Sequence, residues 1–369
     1  MSDEADGKVD QLREIRTRID SIDRDLQRLI NERAACVLRV AEIKTADSGD
    51  EPPVFYRPER EAEILTRIKR ENTGPLSDDD MAHLFREIIS CCLALEQPLT
   101  IAYLGPAGTY TEAAAVKQFG HFATTRALAT IDEVFREVEA DAAHYGVVPV
   151  ENSTEGMVNN TLDCFMTSPL KICAEVELPI HVCLMASPNT ERAAIKTLFA
   201  HQQLFAQCRR WLDSHLPGIQ RVPVNSNAEA ARMTAQRDDC AALAGAMAAE
   251  QYGLRIFATN VEDYPNNKTR FLVIGRQKVG PSARDKTSIL VSMRNESGAL
   301  YRVLEPFHRR GISLTRIETR PSRTGSWSYV FFIDFDGHQS APEITAVLDD
   351  VRKFALDVKP LGSYPQNVL

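Results

Sequence analysis

This chain of 369 residues has no apolar run long enough to span a bilayer. Its first residues, Met1-Ser2-Asp3-Glu4, are acidic and polar, which is not the pattern of a signal peptide. A cytoplasmic protein without membrane contact is therefore expected. An excess of positive charge is also missing. The net charge is -8, which argues against general affinity for nucleic acid or anionic membrane, so an anionic ligand must be met by locally gathered Arg and Lys. None of the eight cysteines forms a C-x-x-C pair, and none has a His at metal-ligand spacing. Free or buried thiols in a reducing compartment are expected, with no metal. No G-x-G-x-x-G fingerprint occurs, so neither a dinucleotide site nor a cofactor is expected. Internal repeats and low-complexity tracts are absent.

What is present divides into three regions. Leu12, Ile15, Ile19, Ile22, Leu26, Leu29, Val40 and Ile43 recur at three- and four-residue steps, predicting one helix over Val9–Ile43. Such a helix is about 50 Å long and needs partner helices. After a polar loop (Thr45–Pro53), Pro58 sits at a favoured first-turn position of a second helix over Glu59–Lys69. Ser77 and Asp80 have capping-box spacing before a third helix, Met81–Glu96, which Pro98 stops. From Thr100 the character changes. Ile101–Leu104, Tyr145–Val150, Ile180–Met185 and Phe271–Ile274 read as strands. They alternate with helical stretches such as Ser226–Ala235 and Ala242–Tyr252, predicting an α/β domain with a mainly parallel sheet. Beyond a polar linker (Arg276–Asp285), the strands Ser288–Met293, Ser313–Thr319, Trp327–Phe335 and Val358–Tyr364, with the helices Ala299–Arg309 and Ala341–Phe354, give βαββαβ. This is a ferredoxin-like α+β module. The expected divisions are 1–98, 99–276 and 287–369.

In the helical region, Arg33 and Lys44 lie about 20° apart on a helical wheel, so both side chains can converge. Arg33 also continues the apolar stripe, where an unpartnered guanidinium is costly, so an anion or a structural acid is expected beside it. Glu96 follows Met81, Phe85, Ile88 and Cys92 on another apolar stripe, a setting that raises a carboxyl pKa and lets it donate. Arg60-Glu61 adds a charged pair. Through Ile15-Arg16, Ile19-Asp20, Ile22-Asp23, Glu32-Arg33, Lys44 and Pro58–Glu61, residues 9–97 resemble the all-helical type of chorismate mutase. The resemblance implies a pocket for chorismate lined by Arg16, Arg33, Lys44, Arg57, Arg60, Glu61, Cys92 and Glu96, with Lys44 and Glu96 catalytic. The family often has Gln where Glu96 stands, and an Asp and a Ser also occur where Arg57 and Cys92 stand. Arg16 and Arg33 are about 25 Å apart along one helix, too far to clasp one small molecule. If both bind, Arg16 comes from a second chain, which predicts a homodimer or a larger homo-oligomer.

In the central region, Asn267-Lys268-Thr269-Arg270-Phe271 places a hydroxyl between two cations at a strand mouth, a position where α/β domains dock ligands. Three further groups of segments accompany it. They are Tyr103–Tyr110 with Gly105, Gly108 and Thr109, Val148–Ser153, and His201-Gln202-Gln203 with Ser226-Asn227-Ala228. Together they resemble prephenate dehydratase over residues 100–275, although the family usually has Pro at Gln202. The resemblance implies two α/β lobes joined by two crossings, like a periplasmic binding protein. It also implies a prephenate site with Thr269 catalytic at the departing hydroxyl and Glu151, Asn152, Ser153, Gln203, Ser226 and Arg270 binding. Each residue also has a bland structural alternative: Thr269 as a strand-mouth hydroxyl bonded to backbone, Asn152 and Ser153 as a turn.

In the βαββαβ module, Asn295–Leu300 and Ile317–Pro321 resemble the effector segments of an ACT domain, with Thr where Ser is frequent at position 319. The implied effector is phenylalanine, held by Asn295, Ser297, Gly298, Ala299, Leu300, Glu318, Thr319, Arg320 and Pro321. A purely dimerising module is the alternative. Removing 287–369 is then expected to leave catalysis and abolish inhibition. Together the resemblances imply a bifunctional enzyme taking chorismate through prephenate to phenylpyruvate under phenylalanine control. A dehydratase with a silent mutase domain and a non-catalytic amino-acid-binding regulator are the rivals.

Overall fold

The computed structural model describes residues 2–47, 53–321 and 329–368. Three helices open the chain: α1 (Ser2–Asp47), α2 (Pro58–Glu71) and α3 (Asp78–Glu96). α1 extends beyond the expected Val9–Ile43. Pro58 occupies the first turn of α2, and Ser77 caps α3 by accepting from the Asp80 amide at 3.1 Å. The apolar stripe of α1 is laid bare, from 43% exposure at Ile22 to 57% at Ile15. Among elements of its own chain α1 packs chiefly on α3.

The first lobe contains β1 (Thr100–Leu104), α4 (Tyr110–Phe119), β2 (Thr124–Leu128), α5 (Ile131–Glu139), β3 (Tyr145–Asn152), β4 (Gly156–Met157), α6 (Asn159–Thr167) and β5 (Lys171–Pro179). A crossing at 180–182 leads to the second lobe. It contains β6 (Cys183–Ala186), β7 (Thr197–His201), α7 (Gln202–Gln207), α8 (Arg209–His215), β8 (Gln220–Val224), α9 (Asn227–Thr234), β9 (Cys240–Ala244), α10 (Ala246–Tyr252) and β10 (Arg255–Ala258). The chain returns through 259–267 as β11 (Lys268–Gly275).

Two sheets result, with strand orders β2-β1-β3-β11-β5 (β4 beside β3) and β10-β6-β9-β7-β8. Both are mixed, which corrects the mainly parallel expectation. β11 runs antiparallel to β3 and β5 because it inserts while returning from the second lobe. The expected strand Ile180–Met185 is instead the crossing plus β6. The expected helix Ala242–Tyr252 begins as β9, whose fully buried Cys-Ala-Ala-Leu-Ala run is too short for periodicity to separate strand from helix.

The last module follows the expected order: β12 (Asp285–Met293), α11 (Ala299–Arg309), β13 (Leu314–Pro321), β14 (Tyr329–Asp336), α12 (Pro342–Phe354) and β15 (Asp357–Pro365). Its antiparallel sheet is ordered β13-β14-β12-β15. Trp327 and Ser328 of the expected third strand lie outside the described residues, as do residues 48–52 of the first loop. α11 and α12 cover one face of this sheet, with Val303, Phe307, Ile344 and Val347 packed on Ile289, Val291 and Ile333. The other face is not solvated. Leu290, Val330, Phe332, Leu361 and Tyr364 share one core with Phe165, Ile172, Leu272 and Ile274 of the first lobe. β15 lies so close to β5 that a Cβ on Gly362 would fall on the carbonyl of Ile172. The module is thus built into the first lobe. No helix among the described residues is long and apolar enough to cross a membrane, and all eight cysteines are free thiols.

Candidate active sites

The helical region holds a pocket of about 170 Å³ between α1, α2 and α3. Arg33, Lys44, Arg57, Arg60, Glu61, Cys92 and Glu96 all line it; Arg16, far down α1 and exposed, does not. Arg33 Nη1 is buried without a hydrogen-bond partner, an incomplete state for a guanidinium that an anion would relieve. Lys44 Nζ donates to the Val54 carbonyl at 3.1 Å and stands 5.6 Å from the centroid of Phe55. Burial raises the pKa of Glu96, and the nearby Lys44 and Arg33 oppose that rise. Arg57 and Arg60 rest on Glu59 and Glu63 at 2.8 and 3.0 Å; Glu59 is buried, whereas the Arg60–Glu63 pair is exposed and a dianion could displace it. Glu61 differs from the expectation. Its carboxylate is buried and paired with Arg86, itself only 5% exposed, so at least one oxygen is committed inside the helix layer. Arg86 escaped the sequence reasoning, although it falls between Ala82 and Ser90 on the buried stripe of α3. Tyr56, a further wall of the pocket, is packed against Phe119 and Tyr145 of the first lobe.

The second cluster stands on the first lobe's sheet. β1 and β3 are parallel and β11 opposes β3, so Gly105, Asn152 and Thr269 all come to the carboxyl edge of the parallel strands. Gln203 and Ser226 follow β7 and β8, at the corresponding edge of the second sheet. Gly105 and Ser226 face a common cleft of about 600 Å³, and Tyr252 Oη closes one side by donating to the Ala107 carbonyl at 2.9 Å. Thr269 does not line this cleft and lies directly opposite Asn152 in register. Asn152 Oδ1 accepts from the amides of Thr154 (3.0 Å) and Glu155 (3.1 Å). That fixes its Nδ2, which donates to Thr269 Oγ1 at 2.8 Å. With its oxygen already accepting, Thr269 keeps its own proton for another partner. Ser153 Oγ accepts from the Lys268 amide at 2.9 Å and bonds buried Asn267 at 3.3 Å, so it braces the Thr269 loop. Ser226 caps α9 by accepting from the Glu229 amide at 3.0 Å, and Gln203 is exposed in the first turn of α7.

Two expected ligands point elsewhere. Neighbours on a strand face opposite sides, so Arg270 cannot share the face of Thr269. Its buried guanidinium donates to Glu175 (2.8 Å), Asp334 (2.7 Å) and Tyr364 Oη (3.0 Å), the last two from the C-terminal module. Glu151, opposite Arg270 in register, pairs with Arg316 of β13. Neither is free to hold a substrate in this arrangement. Arg316, the partner of Glu151, is a residue here that the sequence did not mark.

In the C-terminal module, Gly298 adopts φ +74 at the start of α11, a conformation that strains other residues. Asn295, Ser297, Gly298 and Leu300 are exposed, and Ala299 is half-buried. On β13, Thr319 and Pro321 face outward, whereas Glu318 and Arg320 are half-buried. Arg320 is not an open ligand: it forks onto Asp163 of α6 at 2.9 and 3.0 Å.

A cationic helical pocket, a strand-mouth hydroxyl oriented by Asn152 and a ferredoxin-like module packed on the first lobe point to the class of multidomain enzymes of small carboxylic acids. Comparison with known proteins narrows this class. Residues 15–97 match chorismate mutase type II, 101–279 match prephenate dehydratase and 287–353 match the ACT domain. The bifunctional chorismate mutase/prephenate dehydratase of Pseudomonas aeruginosa is 56% identical over 98% of this chain and 99% of its own. That of Stutzerimonas stutzeri is 55% identical over 98% and 100%. The crystal structure of prephenate dehydratase from Arthrobacter aurescens in complex with L-Phe superposes with a TM-score of 0.67 at 36% identity, covering 72% of this chain and 90% of that one. The chain belongs to the bifunctional chorismate mutase/prephenate dehydratase family.

Proposed function

We propose that this chain converts chorismate to prephenate in its helical domain (1–98) and prephenate to phenylpyruvate in its two-lobed domain (99–276). The module from 287 onward senses phenylalanine. The first reaction is pericyclic, so the protein needs only to hold the reactive conformer and stabilise charge developing on the ether oxygen. Arg33 takes one carboxylate, Lys44 and protonated Glu96 donate to the ether oxygen, and Arg57 and Arg60 flank the site with Cys92. Arg16 arrives from a second chain, in a homodimer whose helices cover the bare stripe of α1. The unpartnered, buried Arg33 Nη1 is the observation that carries this assignment.

In the second reaction the ring carboxylate leaves as CO2. Its electron pair completes the aromatic ring and expels the 4-hydroxyl, which departs as water on taking a proton. Thr269 donates toward that hydroxyl, because Asn152 already supplies its oxygen with a proton. A threonine hydroxyl is a weak acid, so it orients or relays the proton. Gln203 and Ser226 face the substrate from the second lobe. We place the effector beside Asn295–Leu300 and Thr319, and the enzyme in the cytoplasm. Purified protein supplied with chorismate alone is the test. Phenylpyruvate formation suppressed by phenylalanine supports all three assignments. Prephenate accumulating unconverted removes the second, and unconsumed chorismate removes the first.

A further inference from the structure

The face of β3 and β11 turned away from Asn152 and Thr269 meets a set of charges from the sensor module. Arg316 of β13 is their centre. It pairs with Glu151, donates from Nη1 to Met157 Sδ at 2.9 Å and lies 3.9 Å from Asp334. Glu151 and Met157 face each other across the β3–β4 hairpin. Arg316 therefore clamps the base of the hairpin whose turn begins at Asn152. β13 also carries Glu318 and Thr319, two and three residues further along.

We propose that Arg316 is a positioning residue of the dehydratase centre: by holding Glu151 and Met157 it fixes the Asn152 amide that orients Thr269, and it makes that alignment depend on where β13 sits. This rests on the role proposed above for Thr269. Adjacent strand residues share one backbone, so a shift at Glu151 is passed to Asn152 without an intermediary. A ligand that moves β13 thereby moves the donor to Thr269, which is a differential contact of the kind inhibition requires. Phenylalanine enters only as the ligand proposed for that strand.

The test uses full-length Arg316→Met and Arg316→Lys, each assayed with prephenate, with chorismate, and by thermal unfolding. Arg316→Met is expected to lower dehydratase kcat roughly 10-fold with KM changed less than about 2-fold, the pattern of a misaligned group and not of lost binding. Its phenylalanine midpoint is expected to shift at least about 10-fold, with chorismate turnover at the wild-type rate. Arg316→Lys keeps a charge for Glu151 and recovers most of kcat. Wild-type kcat and midpoint in Arg316→Met overturn the proposal, as does an equal loss of both activities with a lowered unfolding temperature. If phenylalanine fails to inhibit the wild type, the sensor assignment falls, while the kcat comparison still decides the role of Arg316.

Discussion

Replacing Arg270 by Met separates a structural role from a substrate-binding one. The side chain is 7% exposed and its partners Glu175 and Asp334 are 4% and 8% exposed. Burial opposes its charge, yet Tyr364, Asp334 and Glu175 together raise its pKa, so it stays cationic. Methionine fills similar space but leaves two buried carboxylates short of a cation. Lys286, 2.7 Å from Glu175, compensates one of them. Asp334 keeps a hydrogen bond from Ser288 Oγ at 2.6 Å, but its remaining cation, Arg316, lies 3.9 Å away. Removing one partner of a buried ion pair costs about 3–5 kcal/mol, a large share of the 5–15 kcal/mol that holds a typical domain. For a unit of this size that is roughly a 10 °C fall in unfolding temperature. Scanning calorimetry gives the stability, and initial rates on prephenate at low temperature give KM. The expected result is a destabilised protein whose KM is within about 3-fold of wild type. Unchanged stability with KM raised about 100-fold would show that Arg270 holds substrate, and would refute the placement of its side chain.

Other outcomes follow from the helical pocket. Glu96 has a raised pKa, so its proton persists to higher pH than in an ordinary carboxyl group and is lost as pH rises further. Mutase turnover should therefore decline with rising pH above that point, about tenfold per unit, whereas Glu96→Gln should be flat from about pH 5 to 9; pH–rate profiles of the two proteins decide it. Arg16→Ala and Arg33→Ala should each abolish mutase activity. Refolded together in equal amounts they should regain about a quarter of it, because half the dimers are mixed and each mixed dimer has one intact site. No recovery on mixing would place both arginines in one chain's site.

Much of this architecture was legible in the sequence, for stated reasons. The C-terminal elements fall close to where pattern and helical period put them, because α11 and α12 each bury one face on the sheet; the sheet itself is buried on both faces, and β12 begins at Asp285, ahead of the expected Ser288. The exposed stripe of α1 shows the converse: the pattern records a partner that the chain itself does not supply. β5 was not legible, since Lys171, Glu175 and Glu177 interrupt its apolar pattern, and Glu175 is buried only because Arg270 and Lys286 neutralise it. The mixed sheets were hidden for a topological reason, as β11 pairs with β3 from more than a hundred residues away. The opposite facing of Thr269 and Arg270 was available from strand periodicity alone. The sensor module reads as removable in sequence, yet its sheet completes the first lobe's core and neutralises Arg270. Truncation at 287 is therefore expected to cost folding as well as inhibition.

On the reading proposed above, Thr269, oriented by Asn152, serves the dehydration step while the mutase works independently of it. The direct measurement follows chorismate supplied to Thr269→Ala. Chorismate should be consumed at the wild-type rate, with prephenate accumulating and phenylpyruvate formation reduced about 100-fold or more, the usual cost of removing a donor to developing charge. Phenylpyruvate appearing at the wild-type rate would contradict it.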